Sequence, residues 1–86
     1  MAKYRITIKN SAAKELEALP KKDLQRIIKR IQTLAQNPRP DGSQKLSGKE
    51  QYRVRQGDYR IVYSIEDKDS QVDIFKIGHR REVYGP

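Results

Sequence analysis

"YRVRQGDYR" occupies residues 52–60 and sets three arginines around a single Gly-Asp pair. Two runs joined by a two-residue loop that begins with glycine predict a tight β-hairpin. With Gly57-Asp58 as the turn, the pairing runs Gln56–Tyr59, Arg55–Arg60, Val54–Ile61, Arg53–Val62 and Tyr52–Tyr63. Side chains alternate along a strand, so Tyr52, Val54, Ile61 and Tyr63 share one face and Arg53, Arg55 and Arg60 the other. A one-residue slip would mix the two sets, so the apolar set itself selects this register. Like charges facing each other across strands destabilise the pair. A hairpin that keeps them is explained if the missing anion comes from outside, as a phosphate of RNA.

Upstream, "KYRITIK" (3–9) alternates with Tyr4, Ile6 and Ile8 on one side, which predicts an opening strand. Asn10 or Ser11 is placed to cap a short helix through "AAKELEAL", with Ala12, Leu16 and Leu19 in one stripe. Pro20 ends that helix and is acceptable at the start of the next. "KKDLQRIIKRIQTLAQ" (21–36) then places Leu24, Ile27, Ile28, Ile31, Leu34 and Ala35 on one face at the helical period. The opposite face carries Lys22, Arg26, Lys29 and Arg30, ordinarily a solvated charged face. "NPRPDGSQ" (37–44) is a surface loop. Downstream, "EDKDSQ" (66–71) turns the chain into "VDIFKI" (72–77), where Val72, Ile74, Phe75 and Ile77 are expected to occupy both faces of a strand near the sheet centre. Any antiparallel return brings the end of this strand beside Tyr59 and Arg60. It delivers "GHRREVY" (78–84) to the arginine end of the hairpin.

The resulting expectation is an α+β fold, β-α-α-β-β-β, with two N-terminal helices packed on a small twisted, mainly antiparallel sheet. At 86 residues the chain is read as one domain, 1–86. So short a chain buries roughly 60–65% of the surface its unfolded form exposes, which argues against a large cofactor cavity. It has no cysteine and one histidine, and no carboxylate spacing suggests a metal site, so neither metal nor cofactor is expected. No apolar run reaches the ~20 residues of a membrane span, and no signal peptide is read, so a cytoplasmic protein is expected. The 19 lysines and arginines exceed the 11 acids by 8, which implies a polyanionic partner.

Arg53, Arg55, Arg60, His79, Arg80, Arg81 and Tyr84 are thereby gathered near one edge of one sheet face. Guanidinium groups stay charged at any usable pH and bind phosphate through two parallel hydrogen bonds. The competing reading is a self-neutralised network in which Asp58 and Glu82 pair with one or two of them. Tyr4, Tyr52, Tyr59 and Tyr63 fall at core positions by alternation, whereas Tyr84 lies past the last strand and is free to stack on a base or to dock the C-terminus. Metal-free RNA cleavage needs an aligned backbone, neutralised charge on phosphorus and moved protons. Arginines supply the first two and are poor bases. His79 has the only side chain that ordinarily titrates near neutrality, Tyr84 would need its pKa shifted by nearby cations, and Lys45 and Lys49 are further RNA-binding candidates.

The order of parts resembles the RelE/ParE toxin superfamily, in particular the RelE-type mRNA endonucleases (mRNA interferases). The resemblance spans nearly the whole chain and is most specific from "QKLSG" through "YRVRQGDYRIVYSI" to "IGHRREVY". It implies a metal-independent endoribonuclease that enters the ribosomal A site and cuts mRNA there by 2′-OH attack. It implies catalytic roles for Arg53, Arg55, Arg60, Arg80 and Tyr84. Arg60 and Arg80 would hold the scissile phosphate, and Tyr84 would orient or stack on a nucleotide. RNA contacts are expected from Lys45, Lys49, His79 and Arg81. Some relatives carry lysines where this chain has Arg53 and Arg55, so the general base stays open and His79 gains weight. The resemblance also implies an acidic antitoxin that wraps the toxin, with neither a membrane nor a small-molecule cofactor as partner. Two other readings are a ParE-like inhibitor of DNA gyrase without nuclease activity and a plain basic nucleic-acid-binding module.

Overall fold

The computed structural model describes residues 3–48 and 50–79. Their elements run β1 (Arg5–Ile8), α1 (Asn10–Glu17), α2 (Lys21–Gln36), β2 (Gln44–Lys45), β3 (Tyr52–Gln56), β4 (Tyr59–Glu66) and β5 (Gln71–His79). The strands form one sheet in the order β1-β5-β4-β3-β2. β1 lies parallel to β5, and the other neighbours are antiparallel. The expected α+β architecture is present with one strand more than predicted. That strand, β2, is two residues long and exists by pairing Gln44 with Arg53 and Lys45 with Tyr52. Two residues carry no periodicity, so nothing local announces it. No helix among the described residues is long and apolar enough to cross a membrane.

The hairpin has the predicted register, from Gln56 opposite Tyr59 to Tyr52 opposite Tyr63. Gly57 sits at φ +61°, while Asp58 keeps an ordinary negative φ. A positive φ at the first central position alone is the type II′ pattern, which glycine adopts without strain and which matches the twist of the flanking strands. Tyr52 stacks on Tyr63 with ring centroids 5.9 Å apart.

Helix α2 covers the residues its periodicity predicts, with Pro20 as N-cap. Helix α1 begins at Asn10 with Lys9 in the cap position and no side-chain cap, so the expected Asn10 or Ser11 cap is not formed. Ser11 instead donates its hydroxyl to the Phe75 carbonyl at 3.2 Å. One turn later, Glu15 accepts the Ile77 N–H at 3.0 Å and pairs with Lys76 at 3.0 Å. The reason is the sheet edge. β1 covers β5 only as far as Ile74, and beyond it the backbone of β5 needs other partners. Side chains four apart on a helix line up along one face, so α1 stands in for the missing strand.

Both helices feed one buried cluster. Ala12 and Leu16 of α1 and Ile27, Ile31 and Leu34 of α2 meet Val54, Ile61, Tyr63, Val72, Ile74 and Ile77 of the sheet. Each aliphatic side chain so buried contributes about 1.5–3 kcal/mol relative to exposure. Tyr63 is fully buried, and its hydroxyl donates to the Pro38 carbonyl at 2.6 Å, tying the loop after α2 to the core. Tyr4, Tyr52 and Tyr59 pack against the cluster from its margin.

β5 departs from the prediction in one consequential way. Val62 pairs with Lys76 but Tyr63 pairs with Ile74, so Phe75 is an extra residue, a β-bulge. Simple alternation would send Ile74 and Ile77 to opposite faces. The bulge resets the phase and lets Val72, Ile74 and Ile77 all enter the core. Phe75 alone is left half-buried, under the Lys9 ammonium at 5.5 Å.

Candidate nucleic-acid interface

The sheet face away from the core carries the arginines in two rows that follow from the strand pairing. One row is Arg55–Arg60–Gly78 across β3, β4 and β5. The next is Gln44–Arg53–Val62–Lys76 across β2 to β5. Counting from the two-residue turn, Gln56–Tyr59 is the hydrogen-bonded pair and Arg55–Arg60 the non-hydrogen-bonded one, whose side chains stand closer together. Gly78, beside Arg60, adds no side chain to the row.

Arg53 and Arg60 are only 5% and 6% exposed, so two of the three cations are largely removed from water. Arg55 is exposed. Burial first, and then the charge of Arg55, lower the pKa of the Arg53 guanidinium. Its Nη2 donates to Gln44 Oε1 on the edge strand. The ion pairs among the described residues are Arg39–Asp67 (2.9 Å), Lys45–Glu50 (3.5 Å) and Lys76–Glu15 (3.0 Å), and Arg55 enters none of them. Asp58, proposed as an internal counterion, lies exposed in the turn and is likewise in no ion pair among the described residues. Strand register alone brings Arg55 and Arg60 face to face, with Arg53 in the next row.

Of the nine residues singled out from sequence, the structure brings Arg53, Arg55 and Arg60 together. Two others it sets apart. His79 pairs with Tyr59 in register, with the rings edge-to-face at 5.9 Å. Tyr59 alternates with Ile61, so both rings project to the helix side, beside Asp23 and Arg26 of α2 and away from Arg60. The Phe75 bulge is the cause. Unbulged, a strand with Val72 and Ile74 inward would carry residue 79 on the arginine face. The expectation that His79 joins the arginines on one face is therefore corrected. Lys45 shares the phase of Tyr52, again the helix side, and pairs with Glu50. Lys49, Arg80, Arg81 and Tyr84, and the acid Glu82, lie outside the described residues. Sequence reasoning missed Gln44, which holds Arg53. It reaches Arg53 only through the β2–β3 pairing, and no local pattern could have revealed it.

Clustered guanidinium groups on a rigid sheet can align a phosphodiester and stabilise charge that develops on it. Two helices on one face of a five-stranded mixed sheet, with facing arginines on the other, define a small α+β domain with a basic face. A family model described as "ParE toxin of type II toxin-antitoxin system, parDE" matches residues 6–84. The chain belongs to that family, and within the superfamily it is of the RelE type. Toxin RelE of Mycobacterium tuberculosis is 32% identical over 83 residues, covering 94% of this chain and 86% of the relative. Among solved structures, the archaeal RelE–RelB complex from Pyrococcus horikoshii aligns with a TM-score of 0.81 at 34% identity, over 91% of this chain and 96% of the other. The toxin–antitoxin complex RelBE2 of Mycobacterium tuberculosis aligns with a TM-score of 0.83 at 25% identity, over 93% and 94%.

Proposed function

We propose that this toxin is a ribosome-dependent endoribonuclease that cuts mRNA in the A site without a metal ion, acting as a single 1–86 domain in the cytoplasm. The observation that carries the reading is Arg55 facing Arg60 across the hairpin, with Arg53 buried in the next row. In the reaction the 2′-oxygen attacks the adjacent phosphorus, the bond to the 5′-oxygen breaks, and a 2′,3′-cyclic phosphate and a 5′-hydroxyl result. The proton of the 2′-OH leaves as the leaving oxygen gains one. Arg60 and Arg80 hold the phosphate and the charge that builds on it, Arg53 and Arg55 reinforce that field, and Tyr84 stacks on or orients a flanking nucleotide. Arg81 and Lys49 extend the RNA contact. His79 and Lys45 would meet RNA only where it passes round to the helix side of the sheet, which leaves His79 badly situated to act as the base. Like the RelE chains solved with RelB, this toxin would be held by a cognate antitoxin. An acidic one suits the excess of 8 positive charges.

The test is incubation of the purified chain with ribosomes programmed with mRNA, in EDTA, followed by mapping of the ends. Expected are cuts within the A-site codon that carry a 5′-hydroxyl, lost in Arg60→Ala. Absence of cleavage products in cells that the protein has arrested would overturn the proposal. The match to a ParE toxin model favours, as a second reading, a DNA gyrase inhibitor without nuclease activity. Gyrase-linked DNA breaks in place of mRNA cuts would select it.

A further inference from the structure

We propose that the groove between α2 and the tip of the hairpin is a second RNA-binding surface, one that grips the phosphate backbone of folded RNA from the side opposite the arginine face. The groove encloses about 530 Å³ and is lined by Arg26, Lys29 and Arg30 together with side-chain amides that include Gln36 and Gln56. No carboxylate lines it. Lys22 continues the row, and from Lys22 to Arg30 the rise of the helix spans ~12 Å at 1.5 Å per residue. Among the described residues none of these four cations enters an ion pair. Moreover, the Arg30 Nε is buried and finds no hydrogen-bond partner there. A buried guanidinium N–H left in that state costs free energy, which the side chain recovers by turning towards an incoming anion.

The lining also indicates what kind of anion enters. Protein partners anchor on aromatic and aliphatic residues, and none lines this groove, whose apolar surface comes from the stems of its long polar side chains. Cations spaced along a helix and interleaved with amides suit a polymer of phosphates and riboses, where phosphate contacts position the ligand and amides meet the sugar. Gln56 follows Arg55 in β3 and points to the other side, so the groove begins one residue from the arginine face. An RNA-bound toxin would hold its substrate strand on one side of the hairpin and folded RNA on the other. This deepens the ribosome-dependent reading by naming a surface through which the ribosome itself is held.

The experiment uses a labelled, uncleaved RNA duplex as probe and measures its affinity for the full chain over a salt series. Arg26→Ala/Lys29→Ala should lower the log–log slope by ~1.4–1.8, at ~0.7–0.9 per lost phosphate contact. Arg26→Lys/Lys29→Arg should keep the slope, because phosphate contact needs the charge. Urea midpoints equal to the parent's confirm that the folds are unchanged. In the ribosome assay the double alanine variant should raise the ribosome concentration for half-maximal cleavage at an unchanged maximal rate. An unchanged salt slope overturns the inference. So does a variant that binds RNA normally but loses affinity for an acidic antitoxin, which would assign the groove to a protein. If the parent cleaves nothing, the nuclease reading falls, and the duplex slope still decides this one.

Discussion

Replacing Arg55 with glutamine should stabilise this protein while weakening its activity. Arg55 and Arg60 face each other at a non-hydrogen-bonded position, and Arg55 also depresses the ionisation of Arg53. Two unit charges about 6 Å apart in a water-like dielectric repel by about 0.7 kcal/mol. Cross-strand pairs contribute ~0.2–1 kcal/mol by measurement on other sheets, so the two scales agree. Arg55 is exposed and Arg60 buried, so the water-like dielectric sets the lower end of the repulsion, and glutamine keeps most of the side-chain length. We expect a gain of about 0.5–1 kcal/mol in urea unfolding at low ionic strength. The gain should shrink towards zero near ~1 M salt, where the screening length falls to ~3 Å. Cleavage, or growth arrest on expression, should weaken in the same variant, as is usual where a site stores strain for its ligand. A loss of stability, or a gain that ignores salt, would refute the argument that this face is electrostatically frustrated.

Two further outcomes concern the scaffold. Tyr63→Phe should cost about 1–3 kcal/mol in urea unfolding at neutral pH, because it strands the buried Pro38 carbonyl that now accepts a 2.6 Å hydrogen bond. Burial pushes the Tyr63 phenol up to about 12, so its contribution is complete below the ordinary phenol value of ~10 and is lost as pH rises towards 12. Unfolding midpoints across that range should fall in the parent and stay flatter in the phenylalanine variant. Hydrogen bonds from Arg39 first, then Tyr4, hold the Asp67 carboxyl below its ordinary value, at 2.9 Å and 2.8 Å. Its contribution is therefore present above that ordinary value of ~3.9 and disappears as pH falls through the depressed one. An acid titration of stability should show this loss in the parent and not in Asp67→Asn.

How much could be read beforehand differs by element, for one reason. The hairpin was legible because its turn and its alternation are both local. A two-residue loop leaves one register, and the apolar set of Tyr52, Val54, Ile61 and Tyr63 confirms it. Helix α2 was equally plain, since six apolar positions at one period over 16 residues admit no other structure. Edge and phase were less accessible. β2 and the grip of Gln44 on Arg53 depend on where a loop returns, and the Ser11 and Glu15 contacts depend on where β1 stops.

The side of the sheet on which His79 emerges was decided by one extra residue at Phe75. Alternation has a period of two, so a single inserted residue inverts every assignment beyond it. The energy that favours the insertion is the burial of Ile77 alongside Ile74, a contact that exists only once the helices are in place. The charges, the hairpin and the helical faces were thus written in the chain itself. Which side of the sheet His79 takes, apart from the arginines, was settled by packing, because the bulge that packing favours inverts the phase of everything beyond it.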